Sequence, residues 1–206
     1  MHLFLELLSR SFDMVMMTQN NNNNSDDAET IILLKNWAKD TPNIGEKIRL
    51  YNKIIKIDPH NANAFDNLGN IYASFDENRA KWCWGKSAQI YQNEIEIYKC
   101  KTTSYFKELG NPKLPKIEKD DMLFEIGQCF YSLGAVCDRL DRHSQASESY
   151  KKALEMVPTQ VHCLYNIAIA LYNDGKPEES KKYLVEFMTK ESSYQAHYCL
   201  GLIYHE

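Results

Sequence analysis

Residues 130–158 read FYSLGAVCDRLDRHSQASESYKKALEMVP. Small residues recur at Gly134, Ala146 and Ala153, among bulky ones at Phe130, Leu133, Tyr150 and Leu154. Phe130, Leu133, Gly134 and Cys137 are spaced by threes and fours, so on a helix they share one face. Ala146, Tyr150, Ala153 and Leu154 make a second such face. The polar DRLDRHS between them is long enough for a turn and offers Ser144 as an N-cap. A glycine inside a helix costs about 1 kcal/mol relative to alanine. That cost is tolerated where a second helix comes too close for a side chain. The stretch therefore predicts an antiparallel helix pair touching at Gly134, Ala146 and Ala153. Pro158 cannot continue the second helix and marks its exit.

The same spacing recurs along the chain. Phe65, Leu68, Gly69 and Tyr72 repeat the first-helix series, as do Leu164, Ile167, Ala168 and Leu171, and then His197, Leu200, Gly201 and Tyr204. Tyr51, Ile54 and Pro59 match Tyr150, Ala153 and Pro158, and Ser180, Leu184 and Phe187 match Ala146, Tyr150 and Ala153. The period is 34 residues from Gly134 to Ala168 and 33 from Ala168 to Gly201, but 65 from Gly69 to Gly134.

Two helices in about 34 residues with this code resemble the tetratricopeptide repeat family. Its pattern is an aromatic, Leu-Gly and Tyr on the first helix, then Ala, an aromatic, Ala and a closing Pro on the second. Residues 127–160 fit this pattern, with Cys137 in place of the Tyr. Residues 161–193 depart further, through Ala168, Ser180 and Ser192. The resemblance covers about 46–206 and more loosely 28–206. It implies an all-α fold: an α-α superhelix of helix-turn-helix repeats, in which stacking buries faces that one pair cannot bury alone. The expected organisation is a disordered segment at 1–27, then repeats at 28–61, 62–126 with an insertion, 127–160, 161–193 and a partial one at 194–206. In that last repeat Leu200, Ile203 and Tyr204 are expected to lack a packing partner.

The enlarged repeat has no glycine or proline between Gly85 and Gly110. Ala80, Trp84, Ala88, Tyr91, Ile95, Tyr98, Thr102, Tyr105 and Leu109 instead run at spacings of four and three. This predicts one long helix from about Arg79 to Leu109, a loop at GNPKLPKIEKDD and a lengthened helix from about Lys119. The pair would form a long helical hairpin, with a second, partly exposed stripe at Trp82, Ile90 and Ile97.

Composition narrows the function. The 206 residues are 44% hydrophobic with net charge −4, which argues against a general nucleic-acid binder. Cys83, Cys100, Cys129, Cys137, Cys163 and Cys199 form no CxxC and read as buried free thiols of a reducing compartment. The N-terminal MHLFLELLSRSFDMVMM is too broken by Glu6, Arg10 and Asp13 to span a bilayer. It is followed by a low-complexity run of five asparagines. AKWCWGKS at 80–87 has the outline of a phosphate loop but follows no hydrophobic strand, and Gly85 reads as a close-contact point in a helix. His197 and Cys199 point about 200° apart on one helix, so with His205 they make no metal set. No catalytic constellation, cofactor site or metal site is expected.

In the repeat family, ligands commonly lie along the concave face of the first helices. The resemblance places Asn67, Asn70, Tyr131, Tyr165, Asn166 and Tyr198 there. Tyr131, Tyr165 and Tyr198 take equivalent places in successive repeats, as do Asn67 and Asn166. An asparagine amide donates and accepts at once, so it can hold a peptide backbone of any sequence. The places where chaperone-tail adaptors of the family carry cations hold Asp66, Gln128 and Ser132, which speaks against that subclass. The expectation is a non-enzymatic scaffold or adaptor for protein or peptide partners, cytoplasmic with the nucleus as alternative. Self-association through the incomplete last repeat is a further option. The rivals are the substrate-recognition arm of a larger enzyme, such as a glycosyltransferase, and a structural subunit of a large assembly.

Overall fold

The computed structural model describes residues 24–108, 116–191 and 193–205. Within them the chain is an all-α superhelix of paired helices. The elements are α1 (Asn24–Asp40), α2 (Ile44–Ile57), α3 (Ala62–Tyr72), α4 (Glu77–Glu108), α5 (Lys116–Arg139), α6 (His143–Met156), α7 (His162–Asn173), α8 (Pro177–Lys190) and α9 (Tyr194–His205). Each helix packs on the next in sequence. α1 begins at the last of the five asparagines, ahead of the boundary expected at 28. The apolar segment at 1–17 lies outside the described residues.

Side-chain caps mark four of the helix starts. Asn43 caps α2 by accepting from the Glu46 amide at 3.0 Å, and Asn61 caps α3 by accepting from Ala64 at 3.2 Å. Asp76 accepts from the Arg79 amide at the head of α4, and Ser193 from Ala196 at the head of α9. α6 differs from expectation. It opens at His143 behind Arg142, with no side-chain cap, and Ser144 lies inside the first turn. The stops follow the code: α2 and α6 end just ahead of Pro59 and Pro158.

The core is a chain of clusters rather than one ball. Leu34, Leu50, Ile54 and Leu68 centre the first, across α1–α4. Phe65, Trp84, Tyr91, Phe130, Val136, Tyr150 and Ile167 centre the second. Leu164, Leu184, Phe187, Ala196 and Ile203 centre the third. A quasi-one-dimensional stack of this kind is stabilised mainly by nearest-neighbour interfaces. Leu200 and Ile203 do find partners there, in the cluster shared with α8, contrary to expectation. Tyr204 is exposed, with the Lys181 ammonium 3.9 Å from its ring centre.

The close contacts fall where the code puts them at Gly69 and Gly134, whereas Gly201, at the same place in the last repeat, meets nothing within 4 Å. A Cβ built on Gly134 would lie 2.8 Å from the Tyr150 ring, and one on Gly69 would run into the Trp84 indole at still closer range. Gly85 meets nothing within 4 Å, so it is not the contact point that its place in the sequence suggests.

The two long helices of the expected hairpin are present and pack on each other, and residues 110–115 of the expected loop lie outside the described residues. α4 has 32 residues, about 48 Å of helix, and α5 has 24. Ala80, Trp84, Ala88, Tyr91 and Ile95 are buried along α4, and Tyr98 is half-buried. Thr102, Tyr105 and Leu109, on the same expected stripe, lie outside the described side chains. On the second stripe Trp82 and Ile97 are more than half exposed, whereas Ile90 is buried and belongs to the core.

Candidate functional site

The six residues expected to line a groove lie on α3, α5, α7 and α9. Asn67 on α3 is half-buried and donates back to the Asn63 carbonyl at 2.7 Å, within its own helix. Asn70 is exposed and accepts from Trp84 Nε1 at 3.3 Å. Tyr131 on α5 and Asn166 on α7 are brought together, with Asn166 Nδ2 donating to the Tyr131 hydroxyl at 3.0 Å. The Tyr131 ring is held edge-on against Tyr150, centroids 5.5 Å apart. Tyr165 on α7 leans on Phe187 and reaches Cys199 of α9, with its hydroxyl 3.8 Å from the sulfur. Tyr198 is exposed and joins none of these contacts.

So the row is not a set of six free side chains. Two of its members form a rung between neighbouring repeats, and a third forms another rung with Cys199. The Asn166 amide still offers an acceptor oxygen and a second N–H after the Tyr131 bond. Tyr131, Tyr165 and Asn166 are each partly exposed, so these groups sit at the surface of a preorganised row.

A third rung lies outside the expected set. Arg139 Nη1, at the end of α5, meets Asp66 Oδ1 of α3 at 2.8 Å, joining the enlarged repeat to the next. Burial pushes the Asp66 carboxyl above its ordinary range, and the Arg139 charge opposes this. The sequence places Asp66 at the equivalent of Tyr131 and Arg139 two helical turns beyond Tyr131, but no spacing within one repeat says that the two meet. Beside it, Asp138 bonds the His143 ring at 3.2 Å. Burial raises the Asp138 carboxyl, against the hydrogen bonds from His143 and Tyr150 and the charge of Arg139. Burial, with Asp138 next, raises the Tyr150 phenol. Tyr91, pushed up to about 12 chiefly by burial, donates to Asn63 Oδ1 at 3.2 Å.

The other candidates resolve simply. Residues 80–87 are helical, inside α4, so their amides bond along the helix rather than wrapping an anion. The His197 ring lies 2.8 Å from the Ser193 carbonyl. Among the described residues no three His, Cys, Asp or Glu side chains converge as a metal set. Cys83, Cys129, Cys137 and Cys163 are buried free thiols and Cys199 is half-buried. Burial pushes Cys83 and Cys163 up to about 11, and burial with Glu94 pushes Cys129 up to about 12. These are inert structural thiols rather than nucleophiles. No described helix is long and apolar enough to cross a membrane.

Repeated helix pairs, with a ring against a glycine in two of them and rungs between first helices, define a helical-repeat protein. Residues 127–160 match the tetratricopeptide repeat family model, so this part of the chain is a tetratricopeptide repeat. No curated protein matches the sequence. Among solved structures, the K341M mutant of the Thermobaculum terrenum O-GlcNAc transferase is similar at 16% identity and TM-score 0.50. The match covers 82% of this chain and 27% of that one, so this chain spans about a quarter of that protein's length. YrrB, a TPR protein described as having an unusual peptide-binding site, is similar at 21% identity and TM-score 0.37, over 75% of this chain and 82% of its own. The MamA protein is similar at 24% identity and TM-score 0.31, over 80% and 93%.

Proposed function

We propose that this chain is a non-enzymatic scaffold or adaptor that holds partner peptides or helices along its first helices. The observation behind this reading is the rung between Tyr131 and Asn166. It fixes the asparagine amide at the surface with a free acceptor and donor, beside aromatic rings already held in place by Tyr150 and Phe187. A backbone-gripping amide between immobilised rings binds with little ordering cost. Asn67, Asn70 and Tyr198 extend the same row to either side. Protein partners suit the net charge of −4 better than nucleic acid does.

The test is peptide display selected on the chain, with each binder re-measured by fluorescence polarisation. The comparison is with a Tyr165→Ala, Asn166→Ala variant of equal helicity by circular dichroism. Affinity should fall at least tenfold. Binders that keep their affinity for the variant would refute the groove.

A second reading is a substrate-recognition arm of a larger enzyme. Its support is the fold similarity to one part of the transferase chain. Sequencing the transcript past LIYHE decides it. A continuing frame that encodes a catalytic domain supports it, and a stop there refutes it.

A further inference from the structure

Away from the first-helix row, the fold builds one feature twice. A pocket of about 360 Å³ opens between α2 and α4, with Phe65 of α3 in its wall beside Ile55 and Trp82. A pocket of about 390 Å³ opens between α4 and α6, with Phe130 of α5 in its wall beside Ile126 and Met156. Phe65 and Phe130 hold the same place in their repeats. Each is an aromatic wedged between the second helices of two consecutive repeats, and the crevice between those helices is left open. Trp82 is 58% exposed although it meets Phe65 edge-on at 6.0 Å, so a large ring stands at the mouth of the first pocket.

Cations stand over aromatic faces at both pockets: Arg79, Lys99 and Lys152 line them, and Lys86 lies beside Trp82. Lys99 and Lys152 each place an ammonium 5.8 Å from the centre of the Phe130 ring. Lys86 lies 5.9 Å from the Trp82 ring, and Arg79 lies 5.6 Å from Tyr72, which lines the same pocket. Arg79, Lys99 and Lys152 have carboxylates one turn away on their own helices, Asp76, Glu96 and Glu148. Pairs of this exposed, short-range kind hold weakly, so an incoming carboxylate can take a share of them. An apolar pocket under a cationic rim selects an apolar side chain flanked by acids. At the second pocket Glu96, Glu148 and Glu155 outnumber Lys99 and Lys152, so an acid is taken there only where it replaces Glu96 or Glu148 on its lysine.

We propose that these two pockets form a second docking surface, separate from the first-helix row. It takes an acidic partner segment that presents one aromatic or leucine-sized side chain to each pocket, with Asp or Glu meeting Arg79 and Lys86 at one and Lys99 and Lys152 at the other. Two shallow sites one repeat apart gain affinity by being occupied together.

The probe is a display library of peptides rich in Asp and Glu with apolar residues at random positions, selected on the full chain. Enriched sequences should carry two apolar residues set apart by acids. They should lose at least tenfold affinity for a Lys99→Glu, Lys152→Glu variant, and also for Trp82→Ala. They should keep their affinity for the Tyr165→Ala, Asn166→Ala variant and bind more weakly as salt rises. Lys99, Lys152 and Trp82 are exposed or half-exposed, so unchanged circular dichroism is expected and is checked. Failure to enrich such peptides overturns the proposal, as does binding indifferent to Lys99→Glu, Lys152→Glu. Loss only in the first-helix variant overturns it too and assigns the peptides to the groove. Sedimentation that shows the chain self-associating, and the lysine variant monomeric, overturns it in favour of a second copy as occupant.

Discussion

The α3–α4 and α5–α6 pairs start from the same instructions and end differently. Phe65, Leu68 and Gly69 repeat Phe130, Leu133 and Gly134. Trp84 stands on Gly69 as Tyr150 stands on Gly134, and Ser87 takes the place of Ala153. The buried Ser87 hydroxyl is satisfied by the Ala62 carbonyl at 3.0 Å, so serine serves where alanine would. Eight residues past Tyr150 comes Pro158, and α6 stops. Eight residues past Trp84 comes Gln92, and α4 runs on to Glu108. The small-and-large code decides how two helices cross, and separate stop residues decide how long they are. A repeat can therefore grow a hairpin without disturbing its crossing.

The largest effects should come from one substitution made at four glycines. Gly→Ala gains about 1 kcal/mol of helix propensity wherever there is room. At Gly85 and Gly201 nothing lies within 4 Å of the new Cβ, so both variants should gain up to that amount. At Gly69 and Gly134 the methyl meets a buried ring, and overpacking of this kind costs about 1–3 kcal/mol. Gly69→Ala should be worse, because its ring is closer and is tied to Asn70. Urea denaturation followed by circular dichroism ranks them. Equal stability of all four would show that the crossings do not depend on these contacts.

Next in size is the clasp between the two pairs. Arg139→Ala leaves Asp66 partly buried without its cation, at a cost of about 1–2 kcal/mol at pH 7, below the figure for a fully buried pair. The sign with pH follows from Asp66. Its folded pKa is already raised by burial, and losing Arg139 raises it further. A carboxyl raised in this way costs stability above its folded pKa, and the cost disappears as pH falls through that value toward the ordinary 3.8. The deficit of the variant should shrink between pH 7 and pH 4. A deficit that does not change with pH would mean Arg139 acts through packing alone.

The buried thiols link both pairs to pH from the other side. Cys83 on α4 and Cys129 on α5 have pKa values raised from 9.0 to about 11 and about 12. Unfolding releases them to ionise near their ordinary value. Stability should therefore be insensitive to these groups below pH 9 and fall as pH rises from 9 toward 11. In native protein at pH 8, iodoacetamide should label the half-buried Cys199 ahead of Cys83, Cys129 and Cys163, read peptide by peptide in a mass spectrometer. Rapid native labelling of Cys129 would contradict the packing of α4 on α5.

Much of this architecture is legible in the sequence, for reasons visible in particular residues. Periodicity and glycine placement locate Gly69 and Gly134 as contacts, and the absence of a break after Gly85 announces the long helix. Gly85 itself misleads, because a glycine inside a helix looks the same whether a neighbour is near or not. Ser144 has the chemistry of a cap, but the turn before α6 puts Arg142 at the cap position, two residues ahead of it. The six residues expected to line a groove all lie on first helices, yet the bonds among them depend on the offset between repeats. That offset pairs Asn166 with Tyr131 and Asp66 with Arg139, and no spacing within one repeat encodes it. Which ring faces Gly69 is hidden for a similar reason, since Gly69 to Ala80 is 11 residues where Gly134 to Ala146 is 12.

That one-residue difference supplies the smallest and sharpest test. The longer turn after α5 closes with the Arg142 amide bonding the Cys137 carbonyl at 2.9 Å, and Asp141 sits there at φ 56°. The turn after α7 closes the same way, with Lys176 on Leu171 at 2.9 Å, and uses Gly175 at φ 74°. This is the helix-ending motif that favours glycine in the left-handed region. Asp141 bears a strain that Gly175 does not, and aspartate is among the few residues that tolerate it. Asp141→Gly should relieve that strain and gain about 0.5–1 kcal/mol, offset in part by the extra freedom of glycine in the unfolded chain. The shorter turn after α3 has no left-handed residue. Asp76→Gly there should lose the cap on α4 and the exposed pair with Arg79, at about 0.5–1 kcal/mol in all. Opposite signs for the same kind of change would show that the two pairs, alike in their crossing, are turned by different means. Equal signs would mean that the turn geometry adds nothing to either.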